Sequence, residues 1–330
     1  MTTLYVSQQG CYVCLQQETL LVKYKSNIYG QVQLPLVEQI LIFGMCQVTT
    51  QVIRACLQRD IPIGYLSKRG YCYGRLISIQ RGHRYLSHYQ QQLTISQRLA
   101  MAKTLVIGKL KNSKALLRRQ LRRHKSDAIA AVMKRLDYFA TQAKDANSCD
   151  KLLGFEGIGA RSYFSALGEC LRNPEFVFTA RVRYPPGNEV NAMLSFGYQI
   201  LWNHLLTLIE LQGLDPYQGC LHEGSPRHAA LASDLIEEFR APLIDSLVLR
   251  LVNNNEIDSR GDFVFRDGAC YLNESGRKKF LRAFLAKMEE SVSTEEAMNV
   301  PRWDWLDQQV KAYKQFIYDP RVGYQPLLIH

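Results

Sequence analysis

Ionisable side chains lie among apolar residues in the stretch LHEGSPRHAALASDLIEEFRAPLID, residues 221 to 245. Asp234 and Glu237 are three positions apart, so a helix would place them on one face, close to the small residues Ala230 and Ala241. Small neighbours leave room for a ligand beside the two carboxylates. The alternative is that Asp234, Glu237 and Glu238 face water or pair with nearby arginines, and this stretch taken alone favours that alternative.

The limits of this helix follow from its capping residues. Ser225 can accept a hydrogen bond from the first turn, and Pro226 suits the first helical position because it lacks an N–H group. Pro242 kinks or ends a regular helix, so we expect the helix to end near Phe239 or Arg240. His222 then lies in the loop that leads into the helix.

Another glutamate stands beside glycines in KLLGFEGIGARSYFSALGECL, residues 151 to 171. We expect Glu156 at the mouth of an apolar helix, where Gly157 and Gly159 let a phosphodiester or a metal approach the backbone closely. The alternative is an acid at a helix N-terminus that stabilises the helix dipole.

Glu156, His222 and Glu237 together offer two carboxylates and one imidazole nitrogen. With positions left open for water and phosphate oxygens, this set suits Mg²⁺ or Mn²⁺ better than a structural zinc ion. A divalent ion there would stabilise the charge that develops during phosphoryl transfer. The prediction requires the three side chains to meet in the folded protein.

The elements that must position these residues fall into two regions. Residues 1–85 contain short runs rich in Val, Ile, Leu and Tyr between turn-forming residues, which predicts a β-rich domain with one short helix near residues 49–60. Residues 86–92 are interpreted as a linker, and residues 93–330 show long helical spacing interrupted by loops. The expected fold class is α+β, a β-rich domain followed by a larger all-helical domain.

Positive charge is concentrated between Ile61 and Ser126. The chain carries a net charge of +11, and this segment has 15 Lys and Arg residues without one Asp or Glu. From Leu99 to Lys125, apolar and basic residues form adjacent stripes at helical spacing, which predicts a buried face beside a basic ridge. A solvated face or a membrane-surface helix is an alternative, but dense uncompensated charge favours nucleic acid.

The composition limits the class of protein. No apolar run reaches the roughly 18 to 20 residues of a membrane span, and the first residues, MTTLYVSQQG, form neither a basic leader nor a cleavable apolar stretch. Nine scattered cysteines make no disulfide framework. The sequence therefore predicts a soluble, cytoplasmic protein with reduced thiols.

Three motifs, in this order, resemble the family of CRISPR-associated protein one, the catalytic subunit of the spacer-acquisition integrase. They are GFEGIGARSYF, RYPPGNEVNAMLSFGYQIL and GCLHEGSPRHAALASDLIEEFRAPLID. The stretches LPLVEQILIFGMCQVTTQVIRACLQRDIPIGYLSKRGYCYGRL and RLAMAKTLVIGKLKNSKALLRR are similar to the family's N-terminal domain and first long helix. The resemblance covers most of residues 1–250.

The resemblance implies a DNA endonuclease and integrase that depends on Mg²⁺ or Mn²⁺. It assigns the metal ligands to Glu156, His222 and Glu237, and it makes Asp234 a further catalytic acid whose contact with the metal is less certain. The implied reaction is a transesterification, in which the 3′-hydroxyl of a captured duplex attacks a phosphodiester at the edge of a CRISPR repeat.

The resemblance also implies partners. The β-rich domain would form a homodimer, and CRISPR-associated protein two would complete a heterohexamer on double-stranded DNA. An integrase must bind DNA of any sequence, so it should rely on phosphate contacts. We assign these contacts to Lys111, Lys114, Arg118, Arg119, Arg122 and Arg123.

Two other functions stay open. A structure-selective repair nuclease acting on branched DNA would use the same metal site without the small partner or a repeat. A non-catalytic DNA-binding scaffold would use Glu156, His222 and Glu237 only as helix caps and ion-pair partners. Metal-dependent strand joining at a repeat distinguishes the integrase from both.

Overall fold

The computed structural model describes residues 3–25, 27–78, 84–122, 125–225, 228–292 and 300–329. The chain divides into two compact units, residues 1–81 and 82–330. Residues 86–92, interpreted as a linker from the sequence, lie within helix α2 (Arg84–Gln92). The division between the units therefore falls a few residues before that segment.

The first unit is β-rich, as predicted. Its elements are β1 (Thr3–Val6), β2 (Cys11–Gln16), β3 (Thr19–Tyr24), β4 (Asn27–Gln33), β5 (Gln39–Phe43), β6 (Gln47–Val48), α1 (Thr50–Gln58), β7 (Ile63–Leu66) and β8 (Cys72–Leu76). One sheet has the strand order β1-β5-β7-β8 and the other β4-β3-β2-β6. In the first sheet, β1, β5 and β7 are parallel and β8 is antiparallel to β7.

The apolar runs of the sequence explain these strands. All five residues of β5, QILIF, are buried, which suits a central strand covered on both faces. Helix α1 buries Val52, Ala55 and Cys56, at the helical spacing that the sequence shows. Side chains from both sheets and from α1 form one hydrophobic core.

The second unit is mostly helical. After α2 come α3 (Ile95–Leu121), α4 (Asp127–Lys144), α5 (Cys149–Glu169), α6 (Glu189–Leu211), α7 (Ala230–Leu235), α8 (Glu237–Phe239), α9 (Ser246–Asn253), β9 (Phe263–Arg266), β10 (Ala269–Leu272), α10 (Glu274–Glu289), β11 (Ser291–Val292), β12 (Val300–Pro301) and α11 (Arg302–Tyr318). The predicted fold class is confirmed, although the pairs β9–β10 and β11–β12 form two-stranded antiparallel sheets in a region predicted to be all helical. In the described part of the chain, no helix combines the length and apolarity needed to cross a bilayer.

Helix α3 packs against α4 and α5 and forms the centre of the second unit. It begins with a capping box, in which Thr94 accepts a hydrogen bond from the Gln97 N–H and the Gln97 side chain accepts one from the Thr94 N–H. Gly159 of α5 faces α3, and a Cβ atom there would lie 2.5 Å from Leu110 Cδ2. This glycine therefore serves close helix packing rather than the approach of a phosphodiester.

The segment 225–253 differs from the predicted helix at both ends. Ser225 pairs with His228 in a β-bridge, and the helix begins at Ala230; Pro226 lies outside the described residues. Pro242 does not end the helix, because Arg240–Asp245 forms a π-helical segment that continues into α9. A wider π turn accommodates the missing N–H and the bulk of the proline ring.

Candidate functional site

Three helical elements bring two of the predicted acids together. Glu156 lies in the middle of α5 and is only 9% exposed, so it is not at the mouth of the helix, and the helix-dipole alternative does not apply. Glu237 begins α8 and is 3% exposed. Both carboxylates contact the same ammonium group, that of Lys109 on α3.

Glu237 is held between two cations. Its Oε2 atom lies 2.5 Å from Lys109 Nζ, and its Oε1 atom lies 3.0 Å from Arg240 Nη2. Burial alone would raise the pKa of the Glu237 carboxyl, but the charges of Arg240 and Lys109 outweigh burial and lower this pKa to about 2. Glu237 is therefore ionised throughout the physiological range.

Asp234 organises the loop that precedes α7. The carboxylate is fully buried; its Oδ2 atom accepts hydrogen bonds from the backbone N–H groups of Cys220 (2.6 Å) and Leu221 (3.0 Å). Its Oδ1 atom accepts one from the His222 N–H (2.9 Å) and lies 2.8 Å from His222 Nδ1. Both oxygens of Asp234 are engaged in this way, and the carboxylate holds the loop and the His222 ring in place.

His222 is fixed by Asp234 and stays partly open to solvent, with 27% of its side chain exposed. Burial lowers the pKa of its imidazole, but the hydrogen bond and charge of Asp234, followed by the charges of Glu237 and Glu156, raise it above the usual value overall. Since Nδ1 faces Asp234, the Nε2 atom is the nitrogen left for a ligand.

Glu238 does not belong to this site, although the sequence places it beside Glu237. Its buried carboxylate accepts hydrogen bonds from the Tyr324 hydroxyl, the Leu327 N–H (2.6 Å) and Gln309 Nε2 (3.1 Å). Burial raises the pKa of Glu238 to about 8 despite these hydrogen bonds. Glu238 therefore anchors the C-terminal segment on the other side of α8.

Lys109 and Arg240 were not among the predicted site residues. Lys109 is 7% exposed and lies among buried residues of α3. Lysine is rarely buried, so its position on the apolar face of this helix was the feature of the sequence that could have identified it as a site residue. Arg240 packs its guanidinium 4.8 Å from the centre of the Tyr198 ring while it pairs with Glu237.

The residues present fit a hard divalent cation. Within the described ranges, no three His, Cys, Asp or Glu side chains form a ready metal cluster, and the Lys109 ammonium lies between the two carboxylates. However, two carboxylates and one imidazole are a donor set that suits Mg²⁺ or Mn²⁺. The Lys109 ammonium, 2.5 Å from the buried Glu237 Oε2 atom, shows that a positive charge is accommodated between these carboxylates.

The predicted basic ridge is on the outer side of α3. Lys111, Arg118, Arg119 and Arg122 are exposed, whereas Lys114 Nζ forms an ion pair with the Asp137 carboxylate at 2.6 Å. Arg123 lies outside the described residues. Two residues rotate a helix by about 200°, so Lys111 points away from the face that carries Lys109.

Comparison with known proteins identifies the family. Residues 4–286 match the family described as CRISPR associated protein Cas1. Over 301 residues the chain is 35% identical to a CRISPR-associated exonuclease Cas4/endonuclease Cas1 fusion of Geobacter sulfurreducens, a match that covers 88% of this chain and 53% of the relative. The chain therefore spans about half the length of that relative.

Another relative matches over nearly its whole length. The chain is 30% identical over 312 residues to a CRISPR-associated endonuclease Cas1 of Thermus thermophilus, and the match covers 94% of this chain and 95% of the relative. Among solved structures, a casposase bound to integration product has a TM-score of 0.85 at 22% identity and covers 98% of this chain and 93% of its own. That structural likeness supports the fold described above.

Proposed function

The chain belongs to the Cas1 family of CRISPR-associated proteins, and we propose that it is a divalent-cation-dependent DNA integrase and endonuclease that inserts short duplexes into a CRISPR array. The observation that carries the proposal is the convergence of Glu156 and Glu237, from separate helices, on one buried point. Buried carboxylates from separate helices that converge on one ammonium group are typical of functional sites rather than of surface helices.

Glu156, Glu237 and the Nε2 atom of His222 would hold the cation. A bound Mg²⁺ or Mn²⁺ supplies electrostatic stabilisation of the charge that builds on a phosphodiester under attack. Asp234 keeps the His222 ring in one orientation, since Nδ1 and the neighbouring N–H groups all bond to its carboxylate. Arg240 keeps Glu237 in place from the opposite side.

The proposed reaction is a transesterification. The 3′-hydroxyl oxygen of the incoming strand forms a bond to the target phosphorus and loses its proton, while the bond from phosphorus to the leaving 3′-oxygen breaks and that oxygen takes up a proton to become a new 3′-hydroxyl. No net phosphodiester bond is lost, so the joining step needs no external energy source. With water as the attacking group, the same site would act as an endonuclease.

DNA binding is assigned to phosphate contacts on the outer face of α3. Lys111, Arg118 and Arg122 are exposed and follow one another at spacings of seven and four residues, which keeps them on one face. Arg119 is also exposed, although part of its side chain is covered. This partial burial, followed by the positive charges of Arg302, Arg118 and Arg122, lowers the pKa of its guanidinium. A surface of this kind binds DNA without reading its sequence.

The proposed partners follow from the family. A second copy of the chain would associate through the β-rich unit, and CRISPR-associated protein two would complete a heterohexamer on the duplex. The casposase to which the chain is similar in fold is described as bound to an integration product, which is the class of DNA expected here.

Strand joining tests the proposal. The protein is offered a labelled duplex with 3′-OH ends and supercoiled DNA carrying a repeat, with and without CRISPR-associated protein two and Mn²⁺. Joining that requires both the cation and a repeat is the expected result. Cleavage of branched DNA without joining would indicate a repair nuclease, and DNA binding without either activity would indicate a scaffold.

A further inference from the structure

Lys109 is a buried lysine whose ammonium group lies between the two proposed metal-binding carboxylates. The side chain is 9% exposed and contacts Glu156 Oε1 and Glu237 Oε2, the latter at 2.5 Å. Lysine is rarely buried unless its charge is paired, and here two carboxylates share it. Neither acid belongs to the helix that carries Lys109, so this contact joins α3, α5 and α8.

The two carboxylates that contact Lys109 are matched by two cations in direct ion pairs with them. Glu156 and Glu237 contribute two negative charges, and Lys109 and Arg240 contribute two positive charges. A divalent cation bound between the same carboxylates would therefore add an excess of two positive charges. Like charges in a buried site repel strongly, so the ammonium and the ion cannot both remain there.

We propose that Lys109 occupies the place of the cation in the metal-free protein and that a divalent ion binds Glu156 and Glu237 by displacing its ammonium group. The inference rests on the proposed function and adds a residue that regulates the same site. The four-carbon stem of lysine lets the charge move by several ångströms while α3 stays in place. Lys109 is thus a built-in counter-ion that keeps two buried acids stable until the ion arrives.

Displacement of the Lys109 ammonium group makes cation binding at this site depend on DNA. Once the ion is bound, the excess positive charge is best balanced by phosphate groups of a duplex, which can also accept the freed ammonium. Binding of DNA and of the cation should therefore strengthen each other, since thermodynamic coupling between two ligands is reciprocal. Lys109 would be the residue that makes this coupling strong.

Mn²⁺ titration in the absence of DNA tests the proposal, with the heat of binding or the free Mn²⁺ signal as the readout. We expect Lys109→Met to bind Mn²⁺ at least about tenfold more tightly than the wild-type protein, because the competing charge is gone. Lys103→Met is the matched control, since Lys103 lies on the same helix and its Nζ atom donates to the Lys144 carbonyl oxygen (2.8 Å), away from the two carboxylates. Its Mn²⁺ affinity should equal that of the wild-type protein.

Lys109→Gln keeps the site measurable if the methionine variant does not fold, because glutamine retains an N–H donor without the charge. It should also bind Mn²⁺ more tightly, and adding duplex DNA should improve its affinity less than that of the wild-type protein. Unchanged or weaker Mn²⁺ binding in Lys109→Met and Lys109→Gln would overturn the proposal, even if strand joining were found to depend on metal. Tighter Mn²⁺ binding by the variants, together with no strand joining by the wild-type protein, would support the displacement of Lys109 by the cation and contradict the integrase function.

Discussion

Substitution of Asp234 tests how the site is held together, because this single buried carboxylate holds three consecutive residues of the preceding loop. It accepts hydrogen bonds from the N–H groups of Cys220, Leu221 and His222 and also faces His222 Nδ1, at distances between 2.6 and 3.0 Å. The change Asp234→Asn preserves the shape of the side chain. It keeps one acceptor oxygen and replaces the other with an NH₂ group.

The expected loss of stability follows from the number of hydrogen-bond donors that lose their acceptor. If the amide NH₂ takes the place of Oδ2, it faces the N–H groups of Cys220 and Leu221. If it takes the place of Oδ1, it faces the His222 N–H and, when Nδ1 carries a proton, the imidazole as well. A hydrogen bond to a charged group contributes about 1.5–3 kcal/mol, so the loss of two should lower the free energy of unfolding of Asp234→Asn by about 3–6 kcal/mol. This is a large part of the roughly 5–15 kcal/mol that stabilises a typical domain.

Urea denaturation of the metal-free protein measures this loss, and Mn²⁺ titration measures its effect on the site. The control is Asp137→Asn, an exposed acid paired with Lys114, which should change the free energy of unfolding by less than about 1 kcal/mol. If Asp234→Asn behaved like that control and bound Mn²⁺ as well as the wild-type protein, the positioning role of Asp234 would be wrong.

Three further predictions concern other parts of the second unit. Changing Lys111, Arg118 and Arg122 together to alanine should weaken DNA binding and reduce the slope of log K for DNA binding against log salt concentration by about 2 to 3. An unchanged slope in fluorescence anisotropy titrations would contradict the assignment of these residues to the DNA-binding surface. Asn112→Ala removes hydrogen bonds to the Glu238 carbonyl (2.8 Å), the Leu327 carbonyl (2.7 Å) and the Ile329 N–H (2.9 Å). Urea denaturation should therefore show that the free energy of unfolding falls by about 2–3 kcal/mol. A decrease of less than about 0.5 kcal/mol would mean that Asn112 does not anchor the C-terminal segment. Burial, followed by the charges of Arg302 and Arg250, lowers the pKa of Lys287 to about 7 from its usual 10.5, so the charged lysine destabilises the fold most below pH 7 and this penalty disappears as the pH rises toward 10. Lys287→Met should therefore raise the melting temperature more at pH 7 than at pH 9.5, and an equal effect at both values would refute the linkage.

The fold class depends on local patterns, so the sequence predicted it, and similar patterns nominated Glu156 and Glu237 as candidate site residues. Alternating and continuous apolar runs define β5 and its neighbours, and the helical stripe of α3 buries Ala102, Val106, Leu110 and Leu117 as its spacing predicts. Glu156 drew attention as an acid within an apolar run. Its position in the middle of α5 was not predicted, because the glycines around it suggested a helix start.

The partners of the acids could not be read from the sequence. Lys109 and Glu156 are 47 residues apart, and only the packing of α3 on α5 brings them together. Glu237 and Glu238 are adjacent, but one residue turns a helix by about 100°, so only the packing decides which carboxylate faces Lys109 and which faces Tyr324. Likewise, Pro242 was expected to end the helix, but it lies within a π-helical segment whose residues from Ala241 to Asp245 are all buried, and such burial is decided by tertiary packing.

Strand joining by Glu156→Gln tests most directly whether Glu156 takes part in metal-dependent phosphodiester chemistry. The comparison is Glu169→Gln, the same change at an exposed position on the same helix. With Mn²⁺, a 3′-OH duplex and repeat DNA, we predict that Glu156→Gln binds DNA normally but does not join strands, while Glu169→Gln joins them at the wild-type rate. Strand joining by Glu156→Gln at the wild-type rate would contradict the account.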